Sequence, residues 1–70
     1  MTTPFKVGDA VRWNSEDGEI EGTVVKVHTH DLTFLGRQRR ASPDEPQYEV
    51  RSDKTGHVAL HKPSALHLRP

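Results

Sequence analysis

Seventy residues make one domain, and a chain of this size buries only roughly 60% of its unfolded surface, which leaves no room for an enclosed active site. A hydrophobic fraction of 31% beside 29% charged residues requires a core of few, economically placed side chains, and without cysteine neither a disulfide nor a thiolate metal site can staple it. Ten basic and ten acidic side chains cancel, so the general basic field of most nucleic-acid binders is lacking.

The charges are segregated nonetheless. Residues 1–23 carry five acids (Asp9, Glu16, Asp17, Glu19, Glu21) against Lys6 and Arg12, a net of −3, so residues 24–70 are +3. No apolar run approaches the ~20 residues of a membrane span. Met1 to Lys6 lacks the apolar region of a signal peptide, so a cytoplasmic protein with no membrane contact is expected.

In chain order, residues 1–4 read as a flexible end and the single domain as 5–69, with Phe5 the first residue that has something to bury. Ala10-Val11-Arg12-Trp13 alternates and predicts the first strand, Val11 and Trp13 pointing one way. Ser15-Glu16-Asp17-Gly18 is a polar turn closed by glycine. The β-branched stretch Glu19–Val27 predicts the second strand, and Gly22 inside it marks a bulge or bend, the first corner of a small barrel.

His28-Thr29-His30-Asp31 is too polar for core. Leu32, Phe34 and Gly36 alternate, but nothing in the pattern sets where that strand begins; Arg37–Ala41 is either the third strand or a protruding edge. Ser42-Pro43-Asp44-Glu45-Pro46 is a loop, because both prolines lack the donor a ladder needs.

Gln47 to His61 is the clearest hairpin. Tyr48, Val50 and Ser52 share one parity, Val58 and Leu60 answer on the far side, and Asp53-Lys54-Thr55-Gly56 reads as a type I turn in which the Asp53 carboxylate accepts from the backbone two residues on and Gly56 is left-handed. Pro63 starts one short helical turn, and Leu66 and Leu68 supply a last strand. About five short strands without a helical period predict an all-β fold, a small closed or partly open barrel.

The pieces Gly8-Asp9-x-Val11-x-Trp13, Gly18, Gly22-x-Val24, Arg40-Ala41-Ser42, Pro46-x-Tyr48-x-Val50, Ser52-Asp53-Lys54-x-Gly56 and His61-Lys62 form one ordered set. Together they resemble the hypervirulence-associated Tudor domain family of small bacterial domains, over Phe5 to about Leu68. The resemblance implies a five-stranded SH3-like barrel of the Tudor type and a binding module rather than a defined reaction. More distantly, Gly8-Asp9-x-Val11, Gly18 and Gly22-x-Val24 are similar to the KOW element of ribosomal and transcription-elongation proteins.

Tudor barrels that read methylated lysine or arginine use several aromatic faces around the cation. Of Phe5, Trp13, Phe34 and Tyr48, the two phenylalanines read as core plugs, which leaves Trp13 and Tyr48 as a half-cage or, in the plainer reading, as structural rings. Arg37, Arg39 and Arg40 with Arg51 and Lys54 make a candidate phosphate-contacting surface, against the alternative of a charged edge that resists aggregation.

His28, His30, Asp31, His57, His61 and His67 carry metal-ligand atoms, but no spacing forces three of them to converge, so no metal and no cofactor are expected. The fragments Ser52-Asp53-Lys54 and Lys54-Thr55-Gly56 mimic elements of penicillin-recognising enzymes without the S-x-x-K nucleophile or the two-domain cleft. No enzyme is expected.

Two binding readings follow. The first is protein or peptide binding through a face carrying Trp13, Arg40, Tyr48, Lys54, His61 and Lys62; the alternative is RNA or DNA binding through Arg37, Arg39, Arg40, Arg51 and Lys54.

Overall fold

The computed structural model describes residues 5–16 and 18–69. The expected flexible start, residues 1–4, and Asp17 of the first turn lie outside the described residues.

The fold is all-β and antiparallel. Its strands are β1 (Ala10–Ser15), β2 (Gly18–His28), β3 (Leu32–Phe34), β4 (Arg37–Arg39), β5 (Gln47–Ser52), β6 (Val58–His61) and β7 (His67–Leu68), with a 3₁₀ turn at Pro63–Ala65. Five strands form one sheet in the order β6-β5-β2-β1-β7, and β3 and β4 form a separate two-stranded sheet. No pairing among the described residues joins β6 to β7, so the sheet is open rather than a closed barrel.

The strand count exceeds the expected five because residues 32–39 fold back on themselves. Leu35 (φ 53°) and Gly36 (φ 78°) both lie in the left-handed region, as a two-residue type I′ turn requires. Arg37–Arg39 is therefore the return arm of a protruding hairpin. Phe34, expected as a core plug, sits on the first arm, β3, outside the core.

β2 organises the sheet by serving two partners. Residues 18–23 pair with β1, with Val11 opposite Gly22 and Trp13 opposite Ile20, while Gly22 to His28 pair with β5, with Val24 opposite Val50 and Val27 opposite Tyr48. The ladder shifts register between Val24 and Lys26, which places the bulge at Val25. That extra residue lets Val24 and Val27, three apart, both face inward.

The core consists of Phe5, Val11, Trp13, Val24, Tyr48, Val50 and Leu66, with Ile20, Val27 and Ala59 packed against it. Burying each large apolar side chain contributes about 1.5–3 kcal/mol, so these few residues carry the fold. Val11 and Trp13 face inward as the alternation predicts. On β6 the expected parity is reversed: Tyr48 pairs with His61 and Val50 with Ala59, so Ala59 and His61 share the inner face and Val58 and Leu60 turn outward.

The start of β1 is held by a turn in which Asp9 Oδ2 accepts from the Lys6 N–H at 2.9 Å, while the Gly8 and Val24 amides exchange bonds with the Val24 and Asp9 carbonyls. At the other end Leu66 enters the core after the 3₁₀ turn, whereas Leu68 is 55% exposed on β7. Leu68 is thus a pairing residue rather than a packing one.

Gly22 is not the bulge. Its φ is not positive, and its role is steric: a Cβ built there meets the Arg51 carbonyl oxygen and lies 2.6 Å from Trp13 Cη2 and 2.8 Å from Cζ3. The indole packs directly against the bare backbone of β2. Gly22→Ala is expected to destabilise by about 1–3 kcal/mol through overpacking, measured as the urea midpoint at unchanged slope; an unaltered midpoint would show that the ring moves aside freely.

Candidate functional site

The six residues proposed for a peptide-binding face divide between interior and surface. Tyr48 has no exposed area and meets Phe5 edge to face, ring centroids 5.3 Å apart. Its hydroxyl is buried without a hydrogen-bond partner among the described residues. Trp13 is 6% exposed, and its ring lies 5.4 Å from that of His61 at an interplanar angle of 40°. The half-cage therefore does not exist: both rings belong to the core.

The Trp13–His61 contact also shows how far the sheet curls. β1 and β6 are three strand positions apart, roughly 14 Å in a flat sheet. Ring contact across that interval requires the sheet to wrap around its own inner face. Burial lowers the His61 pKa below the ordinary histidine value, because the protonated ring loses solvation beside the indole.

Lys62 is exposed and follows His61, while Lys54 is exposed in the turn beyond the other end of β5. Arg40 is exposed as well, and its carbonyl accepts from Gln47 Nε2 at 3.1 Å, which places it at the Lys62 end of the sheet. Lys54 and Lys62 thus bracket β6.

The five cations of the nucleic-acid reading separate in the same way. Arg37, Arg39 and Arg40 lie on or next to the β3–β4 hairpin, beyond the Gln47 end of β5; Arg51 and Lys54 lie at the Ser52 end, about 17 Å away along the strand. One ligand strand does not reach both groups compactly.

Asp53 has a different role from the one its position in the turn suggests. Its carboxylate accepts from Thr23 Oγ1 at 3.0 Å and from Arg69 Nη2 at 2.9 Å, tying the turn to β2 and to the chain beyond β7. Within the turn, Ser52 Oγ accepts from the Thr55 N–H at 3.4 Å, and the Gly56 N–H donates to the Ser52 carbonyl at 2.8 Å with Gly56 at φ 78°. Nothing in the local sequence identified Arg69 as the partner.

Beside this turn a cleft of about 260 Å³ is lined by Trp13, Ser15, Ile20, Ser52, Thr55, His57, Val58 and Ala59. Its apolar lining is Trp13 and Ile20 with Ala59 from the inner face of β6 and Val58 at the strand's edge. Sequence reasoning missed Val58 and Ala59 as site residues; a strand without charge, Pro or Gly after a turn was the available signal.

Of the other histidines, His28 Nε2 lies 3.0 Å from Glu49 Oε1 on the outer face of the sheet, and His30, His57 and His67 are exposed. Among the described residues no group of three or more His, Cys, Asp or Glu is placed to hold a metal ion, and no helix is long and apolar enough to cross a membrane.

A family model described as hypervirulence associated proteins TUDOR domain matches residues 8–66. No curated protein and no solved structure matches the chain.

Two outcomes are expected. Tyr48→Phe removes a buried hydroxyl that has no partner among the described residues, so the melting midpoint stays or rises, whereas Tyr48→Ala opens the core at a cost of about 3–5 kcal/mol; a marked loss from Tyr48→Phe would assign the hydroxyl a bond. His61, with its pKa depressed in the folded state, contributes stability that is full above its unfolded pKa of about 6.5 and is lost as pH falls through that value toward the folded pKa. Denaturant midpoints taken from pH 7.5 to 5 should decline, and His61→Gln should flatten that limb.

Proposed function

This chain belongs to the hypervirulence-associated Tudor domain family, whose model spans most of its length, and from that premise we propose a non-catalytic module that binds a protein or peptide segment along the open β6 edge. On this reading the curled sheet is an SH3-like, Tudor-type open barrel.

The observation that carries it is the state of that edge. Edge strands ordinarily carry charges, prolines or bulges that discourage further pairing, and Val58-Ala59-Leu60-His61 has none of these. The Ser52 N–H donates to the His57 carbonyl at 2.8 Å. By antiparallel alternation the Ala59 and His61 amides then face β5, and the N–H and C=O groups of Val58 and Leu60 point outward. Among the described residues no hydrogen bond uses them.

An extended segment added there gains backbone bonds from Val58 and Leu60 and a place for a side chain in the cleft beside Trp13, the usual division between affinity and specificity in strand addition. Lys54 and Lys62 at the two ends favour a segment with acidic residues flanking an apolar one. Trp13 and His61 support the cleft from inside, and Tyr48 supports them. Arg40, beyond Lys62, is available to a longer segment.

Selection from a displayed library of linear peptides, followed by calorimetry, tests this. Leu60→Pro deletes one outward N–H without removing a bond to β5 and is tolerated on an edge; it should weaken the selected peptide by more than tenfold, about 1.4 kcal/mol, in a folded protein. Val58→Lys, at a residue already 37% exposed, should do the same. Full binding by both folded variants would remove β6 as the site.

A further inference from the structure

The β3–β4 hairpin stands apart from the face just described. It forms its own two-stranded sheet, yet its base is fixed: the Ala41 N–H donates to Asp31 Oδ1 at 3.0 Å, and the buried Gln47 amide donates to the Arg40 carbonyl at 3.1 Å. The arm is therefore oriented by the body.

Its register places unlike side chains in pairs. Phe34 is opposite Arg37 and Leu32 opposite Arg39 on one face, with Thr33 opposite Gln38 on the other. Paired residues in an antiparallel ladder have Cβ atoms about 4.5–5.5 Å apart, so the half-buried Phe34 and the exposed Arg37 leave the hairpin side by side on one face. Arg37, Arg39 and Arg40 are exposed, and none forms an ion pair among the described residues. Residues 32–40 contain no acid.

We propose that this arm binds single-stranded nucleic acid, with Phe34 as the stacking platform for a base and Arg37 and Arg39 as contacts to the adjoining phosphates. Cations flanking an aromatic face are what unpaired bases on a phosphodiester strand require. The structure supplies the ring that the candidate basic surface otherwise lacks, since Trp13 and Tyr48 are in the core. Arg40 contributes less, because it shares a cleft with Asp31 and Glu45 at the arm's base. Arg51 and Lys54, at the far end of β5, take no part.

Strands of three residues, about 10 Å long, match one or two nucleotides rather than a duplex groove. Leu35 at the apex, 78% exposed and at φ 53°, is a single apolar residue, too little to hold an arm in a lipid surface.

Fluorescence anisotropy with short labelled uridine and thymidine oligonucleotides, titrated over salt, tests the proposal. Log affinity should fall linearly with log salt, and Arg37→Ala with Arg39→Ala should shrink the slope by about 1.4. Phe34→Ala should weaken binding about tenfold at unchanged slope, and Phe34→Tyr should restore it. Peptide binding at β6 should be unaffected by any of these, which separates the two readings.

The proposal is overturned if neither oligonucleotide binds at low salt or if folded Phe34→Ala binds like the parent. Preference for duplex over single strand overturns it equally. So does binding to phosphatidylserine vesicles without binding to either oligonucleotide.

Discussion

The packing of the Trp13 indole against Gly22 is the contact on which the rest of the sheet depends. A side chain at position 22 would occupy the space of the ring and of the Arg51 carbonyl. With none there, the indole lies across β2 and reaches His61 on β6, so residues from the two ends of the sheet meet over one small core. With seven buried hydrophobic residues among those described, the domain has few other ways of closing its interior.

The second constraint is the bulge at Val25. β2 pairs with β1 along its first half and with β5 along its second, and the two halves must present the same face inward. One additional residue between Val24 and Lys26 keeps Val27 over Tyr48 while Lys26 and Glu49 stay outside. Polar links then pin the ends of this curled sheet. Arg69 reaches Asp53 and the Gly22 carbonyl, joining the end of the chain to the turn and to the strand crossing.

These choices create the two surfaces of interest. Reversal of parity on β6 turns Val58 and Leu60 away from the core and leaves an uncharged edge with outward backbone groups. Pairing within residues 32–39, rather than with the main sheet, leaves Phe34 outside the core and half-buried, with the arginines exposed beside it. Both proposed faces lie on strands with one side left unpaired.

Much of this was legible in the chain itself. The inward parity of Val11 with Trp13 and of Tyr48, Val50 and Ser52, the turns closed by Gly18 and Gly56, the proline loop and the turn at Pro63 all rest on contacts within a few residues, and period and turn chemistry report such contacts directly. The same patterns could not show that Gly22 is there for Trp13, that the bulge is three residues later at Val25, or that Asp53 bonds Thr23 and Arg69 instead of its own turn. Nor could they tell that Tyr48 and Trp13 are interior while Phe34 is not. Each of those depends on which distant strand lies alongside, and a residue's own alternation carries its facing but not the identity of its neighbour; only the tertiary structure decided that.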